Sequence, residues 1–370
     1  MNFPTGFSSI NMRACYSLHG NCSAFSPAIT LSKEKAQSQA AILAREVGCP
    51  STSSSEMVSC LRQLPAKTLN DAQTKLLAIS GPFQYWGPVV DGSYVQEPFP
   101  AALQRSRLSK LDLLVGSAQQ DGLISRANAI KRFEERQGRA NSKTAFYQAL
   151  QNSLGGEESN FLIQDAATWF YSLEHSSTEY ASFSRALENA TRDHFIICPT
   201  IDMAKEWANN KRGNIFMYHV PDSNSLSSLE YIPDVQLAFG LPFYPQYKNR
   251  YTQEEKTLSL VIMQYLSNFI KSGNPNSPYE FSRKRPEGLS PWPLFRADAG
   301  GDNYKEFTAF LPNHKGLKKS ECSFWDYIKT VKSLTSCKSI VLPSINYLDL
   351  LMHSFVCKST LSTRRSKEND

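Results

Sequence analysis

The residues best suited to chemistry in this chain are its eight cysteines. A zinc site would need short ligand spacings such as C-x-x-C, and the sequence contains none. Cys49 and Cys60 bracket a serine-rich stretch, whereas Cys198 and Cys322 lie far apart. This spacing favours a sparse disulfide framework, although buried free thiols in a reducing compartment are the alternative. We predict neither a metal site nor a cofactor.

Two glycosylation sequons favour an oxidising compartment. Asn21-Cys22-Ser23 and Asn189-Ala190-Thr191 both match the acceptor pattern N-x-S/T. Such triplets also arise by chance. With this alternative open, we predict Asn21 and Asn189 as the glycan acceptors.

Charge and hydropathy exclude other classes of partner. The net charge of +6 is spread thinly, and no basic face with interleaved aromatic residues indicates nucleic acid. No uninterrupted apolar segment reaches the ~18 residues of a membrane span. The N-terminal residues also lack the apolar core of a signal peptide, so we expect that this chain alone does not enter the secretory pathway conventionally.

The order of strand and helix patterns predicts an α/β fold. Two compact apolar runs, residues 111–116 and 214–220, are typical of buried parallel strands. Helical patterns lie between them, including residues 142–154, 178–193 and 201–209. Strand, several helices and strand is the order of an α/β architecture.

Capping signals predict where the first helices begin and end. Ser32 is suited to cap a helix that stops at Gly48. Ser53 and Glu56 have the spacing of a capping box and predict a second helix. A third helix is predicted over residues 70–79.

The C-terminal half has one strong helix and one weaker pattern. Thr252 and Glu255 form a capping-box pattern that opens an amphipathic helix closed by Gly273. Residues 274–307 are rich in Pro and Gly and predict a surface excursion. A last helix is predicted from Cys322, with these residues inward: Phe324, Trp325, Ile328 and Val331.

Four short motifs, in this order, resemble the type-B carboxylesterases and cholinesterases of the α/β-hydrolase fold. They are Pro88-Val89-Val90-Asp91-Gly92, Phe239-Gly240-Leu241-Pro242-Phe243, Phe269-x-x-Ser272-Gly273-Asn274-Pro275-Asn276 and Trp292-Pro293-Leu294-Phe295. Each motif alone is weak, whereas the ordered set is specific. The resemblance covers about residues 18–329 and implies the C-terminal portion of that fold.

The resemblance implies domain limits. A cholinesterase-like domain is expected over residues 17–333, after a divergent leader, residues 1–16, and before a divergent, disordered tail, residues 334–370. The strands that open the family's sheet would precede this chain, so the central sheet is expected to be incomplete. Apolar residues in 111–115 and 215–218 would then lie open, which favours aggregation and marginal stability.

The same resemblance implies two disulfides. Cys49 pairs with Cys60 across a short loop, and Cys198 pairs with Cys322 across a long one. In a loop-entropy estimate such bridges contribute ~3 and ~5 kcal/mol respectively, with strain discounted.

Ester hydrolysis in this family needs a serine on a G-x-S-x-G elbow, a histidine and an acid. The chain contains no G-x-S-x-G. The acid position falls at Asp121, and the histidine position falls at Tyr231, whose phenol has a pKa of about 10 and cannot shuttle protons at neutral pH. We therefore assign no catalytic residue, and Asp121 is expected to serve a turn. Other histidines are expected to be structural or solvated: His175, His194, His219, His314 and His353.

Within the family, the run from Tyr171 to Asp193 resembles a non-catalytic branch that serves as a hormone precursor. The resemblance implies that a peroxidase iodinates tyrosines of the chain. Tyr180, which follows Glu179, matches a hormone-forming tyrosine of that branch. Alternatively, Tyr180 begins a helical stripe with Phe183 and is half-buried packing.

The hormone-precursor branch also implies a folding and dimerisation module that is secreted as part of a longer protein, with ER chaperones as partners. A homodimer would pack two helices from each copy, residues 178–193 and 322–332. The interface residues would be Phe183, Leu187, Trp325 and Ile328. An equally supported alternative is that these side chains face the chain's own core. A further alternative function is a fragment of an active carboxylesterase completed by another chain.

Overall fold

The computed structural model describes residues 31–80, 86–98, 101, 111–119, 166–167, 169–171, 189–190, 192–210, 213–221, 233–277, 291–298 and 301–336. Residues up to Lys318 belong to one compact unit, and residues from Lys319 belong to a second. The described strands all lie in the first unit, and the described part of the second unit is one helix.

The first helix begins where its serine cap predicts. The strand β1 (Leu31–Ser32) leads into the helix α1 (Lys33–Glu46), and the Ser32 hydroxyl accepts the N–H of the third helical residue at 3.2 Å. Gly48 has a φ of +76°, a left-handed conformation that suits glycine just beyond the end of a helix. The cap and the stop predicted for this helix are confirmed.

The capping box predicted for the second helix does not form. The helix α2 (Ser54–Gln63) follows Ser53, but the Ser53 hydroxyl makes no bond to the helix backbone and instead lies 2.9 Å from the Ser55 hydroxyl. The helix α3 (Ala66–Ser80) begins at Ala66 rather than residue 70, because the Pro65 carbonyl already accepts the first helical N–H groups. The sequence thus predicted that both helices exist, but not the absence of the Ser53 cap or the start of α3 at Ala66.

A turn rather than a long strand follows the first three helices. The strand β2 (Val89–Val90) pairs in parallel with β1. Asp91 then closes the turn, since its Oδ1 accepts the N–H groups of Ser93, Tyr94 and Val95 at 2.9–3.0 Å. Gly92, at a φ of +77°, supplies the left-handed conformation of this turn.

The described residues of the first unit include a four-stranded sheet. The strands β3 (Leu113–Ala118) and β4 (Ile215–Val220) pair in parallel along their whole length. The strand β5 (Asn303–Glu306) is parallel to β4, and β6 (Asn313–Lys315) is antiparallel to β5. The prediction of two buried parallel strands is confirmed, with β3 beginning two residues later than expected.

Both central strands are covered, so the expectation of open apolar faces is wrong. Every residue of β3 and of β4 is buried. The helix α4 (Cys198–Asn209) packs against both strands, and the Trp207 indole N–H donates to the Leu111 carbonyl at 3.0 Å. These contacts cover the apolar side chains that the incomplete sheet was expected to expose.

The helix predicted to end at Asp193 continues. A π-helix (Asp193–Ile197) runs directly into α4, and the N–H of Cys198 donates to the Asp193 carbonyl five residues earlier. Pro199 follows and has no N–H to donate. Wider π turns often occur where a helix must accommodate such an irregularity.

The strongest helix prediction is confirmed. After the short helix α5 (Pro233–Ala238), the helix α6 (Gln253–Ser272) opens with both bonds of the capping box between Thr252 and Glu255 in place. Gly273, at a φ of +76°, ends the helix.

A tryptophan lies at the centre of the core between the sheet and α6. Trp292 is 1% exposed, and its indole N–H donates to the Met217 carbonyl of β4 at 3.0 Å. Asn276 bonds both the N–H and the carbonyl of Trp292, which fixes the chain there. The buried cluster consists of Leu114, Ala118, Phe216, Tyr218, Val220, Leu237, Leu258, Ile262, Tyr265, Phe269, Trp292, Phe307 and Leu311.

The strand β5 lies in a segment predicted to be a surface excursion, which corrects that prediction. Its Lys305 is fully buried, and the ammonium group donates to the Leu311 carbonyl at 2.9 Å. The same nitrogen lies 6.0 Å from the centre of the Tyr265 ring. A charged residue in a four-residue strand leaves no apolar pattern to predict it.

The described helix of the second unit is α7 (Lys319–Ser336), which begins three residues before the predicted Cys322. Trp325 is 0% exposed and Ile328 is 6% exposed in the single chain. Both side chains are thus buried in the single chain, and their place in a dimer interface stays a prediction. Tyr327, at 59% exposure, lies on the solvent side of the helix.

We expect Trp292→Ala to destabilise the chain by ~3–5 kcal/mol, because it removes the central side chain and leaves a cavity. Trp86→Ala is the matched control, since Trp86 is 39% exposed. Urea unfolding followed by circular dichroism measures both variants. Equal losses in the two variants would contradict the central role of Trp292.

Candidate functional site

The carboxyl ends of β3 and β4 are the edge where α/β sheets place functional groups. In the sequence, Asp121 follows β3 and Tyr231 follows β4. Both residues lie outside the described part of the chain, as do four other predicted site residues: Asn21, Tyr180, Phe183 and Leu187. The structure describes instead a buried polar cluster at this edge.

Ser117 and His219 form the first pair of this cluster. They occupy the next-to-last positions of β3 and β4 and face each other in the parallel register. Ser117 Oγ and His219 Nδ1 lie 3.0 Å apart, which is hydrogen-bond distance. The residues are 0% and 5% exposed. Sequence analysis did not predict this pair, because the two residues are 102 positions apart and only the strand register joins them.

A buried carboxylate with two neighbouring cations forms the second part of the cluster. Asp193 is fully buried, and its Oδ2 accepts the Tyr171 hydroxyl at 3.1 Å. Lys318 Nζ lies 3.7 Å from Oδ2, and Arg192 Nε lies 3.7 Å from Oδ1. Buried ion pairs need such additional hydrogen bonds to offset the cost of removing charge from water.

Arg192 connects this cluster to the chain that leaves β3. Its guanidinium donates to the Gln119 carbonyl at 2.8 Å, directly after the strand. It also donates to Asn189 Oδ1 at 2.7 Å. Asn189, the predicted glycan acceptor, is half-buried, and its amide nitrogen makes no hydrogen bond within the described residues.

The electrostatic environment keeps His219 neutral. Burial, with further contributions from the Arg192 and Lys318 cations, lowers the pKa of His219 to about 3. A serine and a histidine at this distance could in principle form a nucleophile and its base. Here the base is weakly basic, no described carboxylate hydrogen-bonds the imidazole, and Ser117 is closed to solvent. The pair therefore binds the two strands together.

A second buried ionisable group lies at the start of α5. Asp234 is 4% exposed, and its carboxylate accepts the Tyr218 hydroxyl at 3.1 Å and the Val235 N–H at 2.9 Å. Burial outweighs these hydrogen bonds and raises the pKa of Asp234 to about 6. No sequence signal singled out this residue, since an aspartate at a helix start is ordinarily a solvated cap.

The described cysteines are all oxidised. Cys49 and Cys60 form a disulfide with Cα atoms 5.8 Å apart, the pairing that the family resemblance implied. Cys198 and Cys322 are each disulfide-bonded, and their pairing with each other stays a prediction. Among the described residues, no group of three or more His, Cys, Asp or Glu side chains could hold a metal ion. No described helix is long and apolar enough to cross a membrane.

Comparison with known proteins gives a consistent result. Residues 20–325 match the carboxylesterase family. The chain is 64% identical over 312 residues to thyroglobulin of Homo sapiens, covering 84% of this chain and 11% of that protein. For thyroglobulin of Bos taurus the identity is 65% over the same coverage. Acetylcholinesterase of Bungarus fasciatus is 25% identical over 308 residues, 81% of this chain and 49% of that protein. The chain thus spans about 11% of the length of these two thyroglobulins.

The two perturbed groups predict opposite pH dependences of stability. Between about pH 4 and 6, unfolded Asp234 ionises while folded Asp234 keeps its proton, so its contribution to stability falls as pH rises. Between about pH 3 and 6.5, unfolded His219 is protonated while folded His219 is neutral, so its contribution falls as pH drops. In the shared window the two effects offset each other.

We expect Asp234→Asn to remove a penalty of ~3 kcal/mol at neutral pH and to make acid destabilisation steeper than in the parent chain. His219→Asn is expected to do the reverse and to flatten the loss in acid. Urea unfolding midpoints across this pH range measure both slopes. The control is Asp71→Asn, whose side chain is 62% exposed; a slope change equal to that of the control would contradict the assignment.

Proposed function

The chain belongs to the carboxylesterase family, and we propose that it is a non-catalytic, cholinesterase-like segment of a thyroglobulin-like prohormone. The observation that carries the proposal is its identity of 64% to a thyroglobulin, against 25% to an acetylcholinesterase over a similar span. Any activity of the longer protein is proposed for this chain only on the basis of that similarity. Secretion is proposed as a property of the parent protein.

The absence of hydrolysis is the first part of the proposal. The sequence has no G-x-S-x-G motif, and Tyr231 stands at the family's histidine position. The alternative is a fragment of an active carboxylesterase completed by another chain, and the Ser117–His219 hydrogen bond is the feature that favours it. Burial of both residues counts against it, because a nucleophile has to reach its substrate.

Tyrosine iodination is the second part. Tyr180 is the proposed hormone-forming acceptor, and a thyroid peroxidase is the proposed modifying enzyme. The adjacent Glu179 gives Tyr180 the acidic setting of the matching tyrosine in the hormone-precursor branch. His194 stands at a second acceptor position of that branch and cannot form a phenolic ether, so we propose one acceptor.

Support for folding and assembly is the third part. We propose Asn189 and Asn21 as glycan acceptors, ER chaperones as transient partners, and a homodimer as the assembled form. The amide nitrogen of Asn189 makes no hydrogen bond to a described residue, which is compatible with a glycan, since Arg192 donates only to Oδ1. The proposed dimer helices are residues 178–193 and 322–332, and Tyr327, at 59% exposure, is an exposed aromatic residue of the second of these.

We expect peroxidase, hydrogen peroxide and iodide to iodinate Tyr180 in the full chain. Peptide mapping by mass spectrometry detects the iodinated residue, and Tyr180→Phe serves as the control that removes the acceptor. A chain that carries no iodine on Tyr180 after this treatment would overturn the assignment of Tyr180.

We expect no hydrolysis of an aryl acetate above the rate in buffer. If turnover is seen, Ser117→Ala decides its origin, because the alternative function needs a serine nucleophile. Turnover that Ser117→Ala abolishes while the fold is retained by circular dichroism would support the esterase alternative and refute the non-catalytic proposal.

A further inference from the structure

The described tyrosines differ sharply in their exposure. The most exposed is Tyr94, whose relative exposure is 95%, followed by Tyr327 at 59% and Tyr244 at 52%. The buried ones, at 9% or less, are Tyr171, Tyr218, Tyr251, Tyr265 and Tyr304. Exposure therefore separates rings that an external reagent can reach from rings that are part of the core.

Buried rings have no room for a large ring substituent. The Tyr218 ring stacks on Phe307 with centroids 4.5 Å apart, and a Cβ at Gly116 would already overlap it. An iodine atom on such a ring would overpack the core, which costs stability. Electrophilic attack also passes through a positively charged ring, and an apolar core disfavours that charge.

Tyr94 has neither restriction. Its phenol makes no hydrogen bond or ring contact within the part of the chain that the structure describes, and both ring positions next to the hydroxyl face solvent. The turn that carries it is held by Asp91, whose Oδ1 accepts the Tyr94 N–H at 2.9 Å together with the N–H groups of Ser93 and Val95. The ring is thus presented on an ordered backbone.

These bonds also keep Asp91 ionised. The N–H groups of Ser93, Val95 and Tyr94 lower the pKa of Asp91 below its ordinary value, with the Ser93 bond contributing most. A carboxylate three residues before Tyr94 therefore places a negative charge in the same turn.

We propose that Tyr94 is an iodination site of this chain, modified ahead of the other described tyrosines. The site deepens the proposed prohormone function and rests on it for the peroxidase that supplies oxidised iodine. It is distinct from Tyr180, and no hormone-forming coupling is assigned to it.

The chemistry is an electrophilic aromatic substitution. Peroxidase uses hydrogen peroxide to oxidise iodide by two electrons, to the level of hypoiodite, and the peroxide is reduced to water. A carbon next to the phenol hydroxyl of Tyr94 forms a bond to iodine and loses its proton. The sum is one aryl C–H, one iodide, one hydrogen peroxide and one proton giving one aryl C–I and two waters.

The test treats the full chain with lactoperoxidase, hydrogen peroxide and iodide below one equivalent per chain, then maps iodine by mass spectrometry. We expect the Tyr94 peptide to carry iodine first and Tyr304 to carry none. Tyr94→Phe should lose that label and lower the total iodine bound, whereas Tyr304→Phe should leave it unchanged. Both rings differ from phenylalanine only by a hydroxyl, so the substitutions are matched.

Four outcomes separate this inference from the proposed function. Iodine on Tyr94 and Tyr180 supports both. Iodine on Tyr94 alone supports the inference, and the same treatment with excess iodide then decides whether Tyr180 stays in the proposed function. Iodine on Tyr180 with Tyr94 unmodified, or on Tyr244 ahead of Tyr94, overturns the inference and leaves the proposed function. Iodine on no tyrosine overturns both.

Discussion

The core depends on the close approach of a tyrosine ring to a glycine in the neighbouring strand. Gly116 and Tyr218 face each other in the parallel register of β3 and β4, and any side chain at Gly116 would overlap the ring. The ring then stacks on Phe307 and directs its hydroxyl to Asp234. The absence of a side chain at Gly116 therefore makes room for the Tyr218 ring. The position of that ring in turn determines its stacking on Phe307 and its hydrogen bond to Asp234.

The same register brings buried polar side chains together at the carboxyl ends of β3 and β4. One position further along, it joins Ser117 to His219, and beyond the strands the Arg192 guanidinium donates to the Gln119 carbonyl. Charged groups in such a place are strongly destabilising if one partner is lost, so the cluster specifies an arrangement rather than adding much stability. A neutral imidazole beside two cations fits that role, whereas a general base would need to accept a proton there.

Local signals predicted the elements that local contacts determine. The capping box at Thr252 was sufficient to predict α6, because neighbouring residues in the sequence make its bonds. The apolar runs of β3 and β4 predicted two buried strands, whereas their register depends on residues about a hundred positions apart. Longer-range features were missed. The strand β5 was not predicted because it contains a buried lysine, Lys305, whose ammonium group finds its hydrogen-bond acceptor only in the folded core. The apolar stripe that contains Trp325 was predicted, but a stripe does not indicate whether the same chain or a partner covers it. The Ser117–His219 pair needed the register itself.

The solvent exposure of a side chain decides which kind of chemistry it can take part in. Ester hydrolysis requires a nucleophile that substrate can reach, and the described serine beside a histidine is 0% exposed. Modification of a phenol requires the opposite: a ring outside the core, with room for a bulky atom, as at Tyr94 with 95% exposure. Under the proposed function, the described polar edge of the sheet would serve the packing of the strands, and exposed rings would serve modification. The packing keeps the buried tyrosines of the described residues away from solvent, so exposure decides which of their rings an external reagent can reach.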